Sequence, residues 1–400
     1  MAQRFTPAEW TKIHNLIDAR GESFGLPPRR PGSIVIGSFN IRKLGAVASK
    51  SAGAWTTFAK IAERYDLLAI QEVQDDLEGL RHIKAALGDK YGMVVSDITG
   101  SYPGQSPPPE RLAFLFRWDR IQRTEVASDI SYDRASVIDT LFTEREAFWI
   151  SFRAFAKDLE DWEKKAAERK AAGKKAPAKP VPHLPDFVTF IRQPLCVSFE
   201  VPGKAGAKPY QFLAVDAHLL YGKFKDERFK EFLAIVGWLI DRAKHADRMY
   251  YPNVVLLGDC NLDFSNPATS RNIIDAFLKT RNETTLKGRH AKLNFPFLSV
   301  HPNQADVFRT NARLTETFDQ IGLVVHDQRF PTSDQNAEAG KNGPDGYDYG
   351  VFNFVELFSQ AIHGKAYTSL TKSQAAALIK KFEHDLTDHM PLWMRLPLPS

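Results

Sequence analysis

Four hundred residues, 43% hydrophobic and 25% charged, describe a globular chain with enough apolar content for a large core, and exclude a disordered or collagen-like one. The opening residues, MAQRFTPAEW, lack a cationic start followed by an apolar stretch, and the longest apolar run, Phe232 to Ile240, is too short to span a bilayer, so a cytoplasmic location is expected. The net charge is +5, but Lys164 to Lys179 carries seven Lys or Arg against one Glu, so the excess is local and names no partner.

Taken in order, Thr6 to Arg20 predicts a capped helix, with Thr6 at the N-cap, Pro7 at the first position, Glu9 closing a capping box and Gly21 just beyond the end. Trp10, Ile13, Leu16 and Ile17 share one face of it, as for a helix docked on the flank of a domain. After a proline-rich link, Ile34 to Phe39 is apolar at nearly every position and reads as a central strand ending at Asn40. Ala54 to Arg64 predicts a helix, and Asp66 to Ile70 a second buried strand running into Gln71-Glu72-Val73. A helix near Leu77 to Leu87 and a loop from Gly100 to Pro109 precede Glu110-Arg111 and the strand Leu112 to Arg117.

The composition then shifts. Phe152 to Pro182 begins with helical spacing and ends in the tract AAERKAAGKKAPAKPVP, which reads as an inserted helix with a flexible basic tail, more a solvated surface than a DNA-gripping arm. Strands Leu195 to Val201 and Tyr210 to Val215 follow, the latter running into Asp216-Ala217-His218, and Phe224 to Ala246 predicts an amphipathic helix. Asn253 to Phe264 combines a short branched apolar run with Gly258, Asp259 and Asn261; residues two apart on an extended chain point the same way. Alone, that pattern fits an Asx turn as well as a site. The last third predicts a strand over Phe318 to Val325, a Gly- and Asn-rich loop over Asn336 to Gly346, a helix over Ser373 to Phe382, and a short strand, Leu386 to Trp393, entered through Asp388-His389. Cys196 and Cys260 lie among apolar residues, which suits reduced core thiols and argues against a zinc cluster. No short-period repeat is visible, although two layers built alike could hide a duplication.

Asn40, Glu72, Glu110, His218, Asp259, Asn261, Asp319, Asp388 and His389 all fall at junctions between apolar strands and loops. The ordered segments SFNIRKLG, LLAIQEVQD, ERLAFLFR, IRQPLCVSF, AVDAH, LLGDCN, FDQI and TDHMP resemble the endonuclease/exonuclease/phosphatase superfamily, and within it the deoxyribonuclease I branch. The resemblance covers nearly the whole chain from residue 34 onward. It implies an α/β (α+β) fold, a four-layer α-β-β-α sandwich of two mixed sheets, over a catalytic domain at 34–400, and it leaves unexplained a helical extension at 1–33 and an insertion at about 152–186.

What the resemblance implies for the site suits phosphodiester hydrolysis, which needs an activated water, charge neutralisation and help for the leaving alkoxide. Glu72 would be the principal ligand of Mg²⁺ or Mn²⁺, with Asp388 helping to hold the metal or its waters. His389 oriented by Asp319 would be the base, and His218 with Glu110 the second pair. Asp259 would orient water or leaving group, Asn40 and Asn261 would hold phosphoryl oxygens, and Arg42, Arg111 and Arg192 would contact backbone phosphates, with surface ion pairing equally open for the arginines. The expected partner is nucleic acid, above all DNA, with no membrane span and no protein partner. The alternatives are the same chemistry on RNA, a phosphoinositide, sphingomyelin or a nucleotide, and a non-catalytic polyanion-binding module.

Four departures stand out. Gln74 and Pro108 occupy the places of an arginine and a tyrosine that enter the DNA minor groove in the deoxyribonuclease I pattern. Gln320 follows Asp319 where an arginine is usual. Asp348 is a rival partner for His389.

Overall fold

The computed structural model describes residues 4–100, 110–131, 134–222, 225–245, 250–263, 271–289 and 291–400. Twelve strands occur among these residues: β1 Ser33–Leu44, β2 Leu67–Gln74, β3 Tyr91–Val95, β4 Glu110–Arg117, β5 Gln122–Asp129, β6 Leu195–Val201, β7 Tyr210–His218, β8 Val254–Asp259, β9 Lys292–Asn294, β10 Asp319–Val325, β11 Asp348–Val351 and β12 Leu392–Pro397. The helices are α1 Pro7–Arg20, α2 Ala52–Ala62, α3 Glu78–Leu87, α4 Arg134–Thr143, α5 Arg145–Ala171, α6 Lys225–Lys244, α7 Asn272–Glu283, α8 Phe354–His363 and α9 Lys372–Asp385.

Two six-stranded sheets form, in the orders β11-β12-β1-β2-β4-β3 and β5-β6-β7-β8-β10-β9. Both follow one plan. A parallel pair sits at the centre, β1 with β2 and β7 with β8, and the other pairings within each sheet are antiparallel. A parallel pair needs a crossover, which α2 supplies in one sheet and α6 in the other. The sequence shows no repeat, yet the two sheets share one arrangement of strands.

Strand alternation sorts each strand between two layers. Leu195, Val197, Phe199, Phe212, Ala214, Val255, Leu257, Ile321 and Leu323 join the cluster between the sheets, whereas Cys196, Leu213, Val215, Val254, Leu256 and Val324 pack under α6 and α7. Phe199 meets Phe114 and Phe116 of the opposite sheet with ring centroids 5.5 and 5.4 Å apart. The other sheet is covered by α2, α8 and α9, and by α1, whose Trp10, Ile13 and Ile17 join the same cluster. The α1 capping box is formed as expected, Thr6 and Glu9 each satisfying the other's backbone N–H. Both cysteines are buried and free. No helix among the described residues is long and apolar enough to cross a membrane.

Some local expectations change. The closing strand starts at Leu392, because Pro391 has no N–H to donate to a ladder, and Asp388 and His389 lie in the loop before it. The inserted helix α5 starts ahead of Phe152, anchored by buried Phe148. Its basic tail turns back along it, with Trp162 Nε1 donating to the Pro177 carbonyl at 2.9 Å. Residues 101–109 of the expected loop, with Pro108, lie outside the described residues, as do Phe224, Ala246 and Phe264.

Candidate active site

The site forms where inward-facing positions of both sheets reach the same edge. On β7, Asp216 and His218 continue the parity of Phe212 and Ala214; on β8 and β10, Asp259 and Asp319 continue that of Leu257 and Ile321. Register aligns them: Asp259 sits opposite His218 on the parallel side and Asp319 on the antiparallel side. Gly258 makes the close approach of β8 to β7 possible. Its φ is +147°, and an added Cβ would stand 1.9 Å from the Ala217 carbonyl oxygen.

Asp259 is the hub. Its Oδ1 accepts the Asn261 N–H at 2.8 Å and its Oδ2 the Asn40 side-chain amide at 3.0 Å. The same Oδ2 lies 3.6 Å from His389 Nε2 and 3.7 Å from His218 Nε2, so one carboxylate faces both imidazoles. Burial alone would raise the Asp259 carboxyl, but His389 and His218, with the two N–H donors, hold it below the usual carboxylate range.

Each imidazole has its own second carboxylate. His389 Nδ1 lies 2.9 Å from Asp319 Oδ2, and Asp319 is fixed through its N–H to Thr310 Oγ1 at 3.1 Å. Burial disfavours an imidazolium at His389, yet Asp319 and Asp259 together raise it well above the ordinary histidine value. His218 Nδ1 lies 2.5 Å from Glu110 Oε1, and the Arg192 guanidinium pairs with the same carboxylate. Burial and Arg192 would lower His218, and Glu110 and Asp259 outweigh them, so it too is raised. Asp348, the rival partner, accepts from His301 at 3.0 Å and is no part of the His389 pair.

Glu72 stands where the β2–β4 pairing is interrupted, at φ +60°, beside Lys43 at φ +49° on β1. Asn261 is left-handed as well, at φ +50°. Left-handed backbone costs a non-glycine residue about 1 kcal/mol or more, so three such residues at one mouth mark a shape imposed by the surroundings. Glu72 Oε2 accepts the Lys43 N–H at 3.0 Å, and Asp388 Oδ2 lies 3.5 Å from Arg42 Nη1. Both carboxylates are half-buried.

The remaining candidates are spent inside the protein. Asn261 donates its side-chain amide to the Leu219 carbonyl at 2.9 Å. Arg111 donates to the Ser96 carbonyl at 2.8 Å with Asp97 3.6 Å away, and buried Arg192 donates to the Leu219 carbonyl at 3.2 Å besides its pairing with Glu110.

Sequence reasoning passed over several participants. Thr387 Oγ1 donates to the Asn40 carbonyl at 2.8 Å and accepts the Arg42 N–H, tying the His389 loop to β1. Lys50, buried and donating to the Leu386 carbonyl at 2.7 Å, is pushed down to about 8 by burial, against the pull of Asp385, Glu72 and Asp388. Gln71 bridges the sheets, with Ser38 on one side and Asp216 Oδ1 at 2.6 Å on the other, and burial raises Asp216 well above the carboxylate range. An acid inside an apolar strand, as in AVDAH, was the available signal for Asp216; Lys50 had none.

No family model matches the chain. Deoxyribonuclease-1 of Oryctolagus cuniculus is 30% identical over 91 residues, 22% of this chain and 32% of that protein, so the match spans about a third of the curated relative. An endonuclease/exonuclease/phosphatase family protein from Bacteroides thetaiotaomicron overlays at a TM-score of 0.43 with 13% identity, covering 92% of this chain and 99% of the other. The chain is similar to the endonuclease/exonuclease/phosphatase family. The human Nocturnin catalytic domain with bound sulfate overlays at 0.44 with 12% identity, over 93% and 96% of the two chains.

Proposed function

We propose that this chain is a divalent-metal-dependent phosphodiesterase of the endonuclease/exonuclease/phosphatase superfamily, with DNA as its substrate, cut within the strand with little sequence preference. The observation that carries the reading is the single buried carboxylate of Asp259 facing two imidazoles, each backed by a carboxylate of its own.

A scissile phosphate beside Asp259 would have His389 on one side and His218 on the other. Asp319 and Asp259 favour the charged form of His389, so the ring acts as base once it has lost that proton: in the neutral form its Nε2 takes the proton of the water that attacks phosphorus, and Asp319 stabilises the imidazolium that forms. As the phosphorus–oxygen bond to the leaving alkoxide breaks, His218 delivers a proton to that oxygen, with Glu110 and Arg192 holding the ring. Asn40 and Asp259 position the reacting groups.

Glu72 and Asp388 would hold the cation. Both offer hard oxygen donors at the open rim, and Glu72 keeps one oxygen that takes no hydrogen bond among the described residues. A bound Mg²⁺ or Mn²⁺ would neutralise phosphoryl charge. Asp259, Asp319 and His389 could also hold a metal ion, since their ligand atoms lie within 4.8 Å of one another, but His389 Nδ1 is already committed to Asp319.

One observation favours the second reading, a phosphatase or phosphodiesterase acting on RNA, a lipid headgroup or a nucleotide. Arg111 and Arg192 are turned to partners within the protein, which leaves Arg42 as the one of the three expected phosphate contacts at the open rim. Incubation with plasmid and Mg²⁺, alongside RNA, phosphoinositide and nucleotide substrates, separates the two. Nicking that survives EDTA or His389→Ala would remove this site from the reaction.

A further inference from the structure

Each imidazole of the site finds its own carboxylate across the gap between the two sheets. His218 on β7 meets Glu110 on β4, and His389, in the loop entering β12, meets Asp319 on β10. Glu72, on β2, belongs to the same sheet as Glu110. The geometry of the site therefore depends on how one sheet lies over the other. Apolar packing between layers is non-directional and leaves that register loosely specified.

Two directional bonds cross the gap at its centre. Asn40 and Gln71 are register partners on the parallel pair β1 and β2, and each donates its side-chain amide to an acid of the other sheet. Asn40 donates to Asp259 Oδ2 at 3.0 Å, and Gln71 to Asp216 Oδ1 at 2.6 Å. The first bond faces the reacting groups. The second lies one inward position deeper on β7 than His218, and Gln71 and Asp216 are both 0% exposed. Gln71 Nε2 also lies 3.0 Å from Ser38 Oγ. Leu257 beside Asp216 and Ala214 beneath it begin the apolar layer. Burial raises Asp216 well above the carboxylate range, so its oxygen accepts as part of a neutral carboxyl.

A polar pair at the edge of an apolar layer adds little stability, since apolar side chains of similar shape often serve as well. What it adds is direction. Gln71 precedes Glu72 and Asp216 stands two residues before His218, so the bond joins the strand that carries the cation ligand to the strand that carries the proton donor. We propose that Gln71 and Asp216 are positioning residues, whose bond sets the register of one sheet over the other and with it the separation of Glu72 from His218 and the pairing of both imidazoles. The proposal rests on the phosphodiesterase reading above. Both side chains act through their neighbours, being closed to solvent themselves.

The triple variant Ser38→Ala/Gln71→Met/Asp216→Leu, which keeps the approximate shape and removes all three polar partners, tests this beside Asp216→Asn, which retains an acceptor for the Gln71 amide. Thermal unfolding reports whether each variant folds; Gln71→Asn, one methylene too short for the bond, is read in the same way should the triple variant not fold. In crystal structures superposed on the sheet that holds β7, Asn40 and Glu110 of the triple variant are expected to stand more than about 0.5 Å from their wild-type places. With bis(p-nitrophenyl) phosphate and Mg²⁺, kcat is expected to fall at least about tenfold while KM stays within about threefold. Asp216→Asn is expected to rescue both the register and kcat. Sheets that do not move, sheets that move with kcat intact, or an Asp216→Asn variant as impaired as the triple one would each overturn the assignment. Wild-type hydrolysis that is absent or insensitive to EDTA would sink the phosphodiesterase reading alone, and the displacement of the sheets would then decide the positioning role by itself.

Discussion

The two imidazoles that face Asp259 are held in different ways. His218 ends a strand inside a sheet and meets a carboxylate that Arg192 already clamps, with Glu231 fixing the backbone beyond both. His389 sits in a loop, joined to β1 by Thr387 and paired with one carboxylate. Its side chain is 12% exposed against 5% for His218. The rigid, enclosed ring suits a proton donor that must stay charged. The loop-borne one suits a base that must meet incoming water.

The largest test of that contrast is His389→Ala, expected to lower kcat by about 10⁴, the upper range for a general base, on every phosphodiester tried. Steady-state kinetics with an alkyl and a nitrophenyl leaving group would show it; unequal losses on the two would contradict the role of base.

His218→Ala should cost about 10² to 10³ with an alkyl leaving group and only a few-fold with nitrophenolate, which leaves without a proton. An equal loss on both substrates would break the comparison, because the two rings would then share one role.

A third effect concerns the clamp. Burial pushes Glu231 up to about 7 from an ordinary 4.5, outweighing the N–H groups of Ile191 and Leu220 that favour its charge. The folded state therefore holds the proton more tightly than the unfolded one. That contribution is fully present below pH 4.5 and is lost as pH rises through about 7, a loss on the order of 3 kcal/mol. Urea unfolding across this range should show a decline that is shallower in Glu231→Gln than in the wild type, since buried Asp216 contributes in both; parallel curves would remove Glu231 as a source.

The smallest effect is expected at Arg111, whose guanidinium faces Ser96 and Asp97. Arg111→Ala should change kcat/KM by less than about threefold, as for an exposed ion pair. A drop of tenfold or more would place that side chain on the substrate.

Much of the fold was legible because its signals are local. The cap of α1, the limits of β6 and the buried run of β8 follow from neighbours in sequence. Elements without an apolar signature were not read: β5, exposed at several positions, and the short edge strands β9 and β11. α8 is apolar at most positions, yet it was passed over as well. At the site, alternation placed Asp259 and Asn261 on one side of an extended chain. The structure separates them: Asn261 enters the left-handed region, its side-chain amide leaves for the Leu219 carbonyl, and Asp259 alone faces the two histidines.

By itself, then, the sequence determined which residues end the central strands and which chemistry they carry, because strand period and residue type are properties of a short stretch of chain. Only the tertiary structure decided their partnerships. Glu110, Arg192 and His218 come from separate segments, and Asp319 and His389 from others, so their pairing depends on sheet order, register and the approach of two sheets. Arg111 shows the limit of residue type most plainly: adjacent to Glu110 in sequence, it points its charge at Ser96 while Glu110 turns inward to His218.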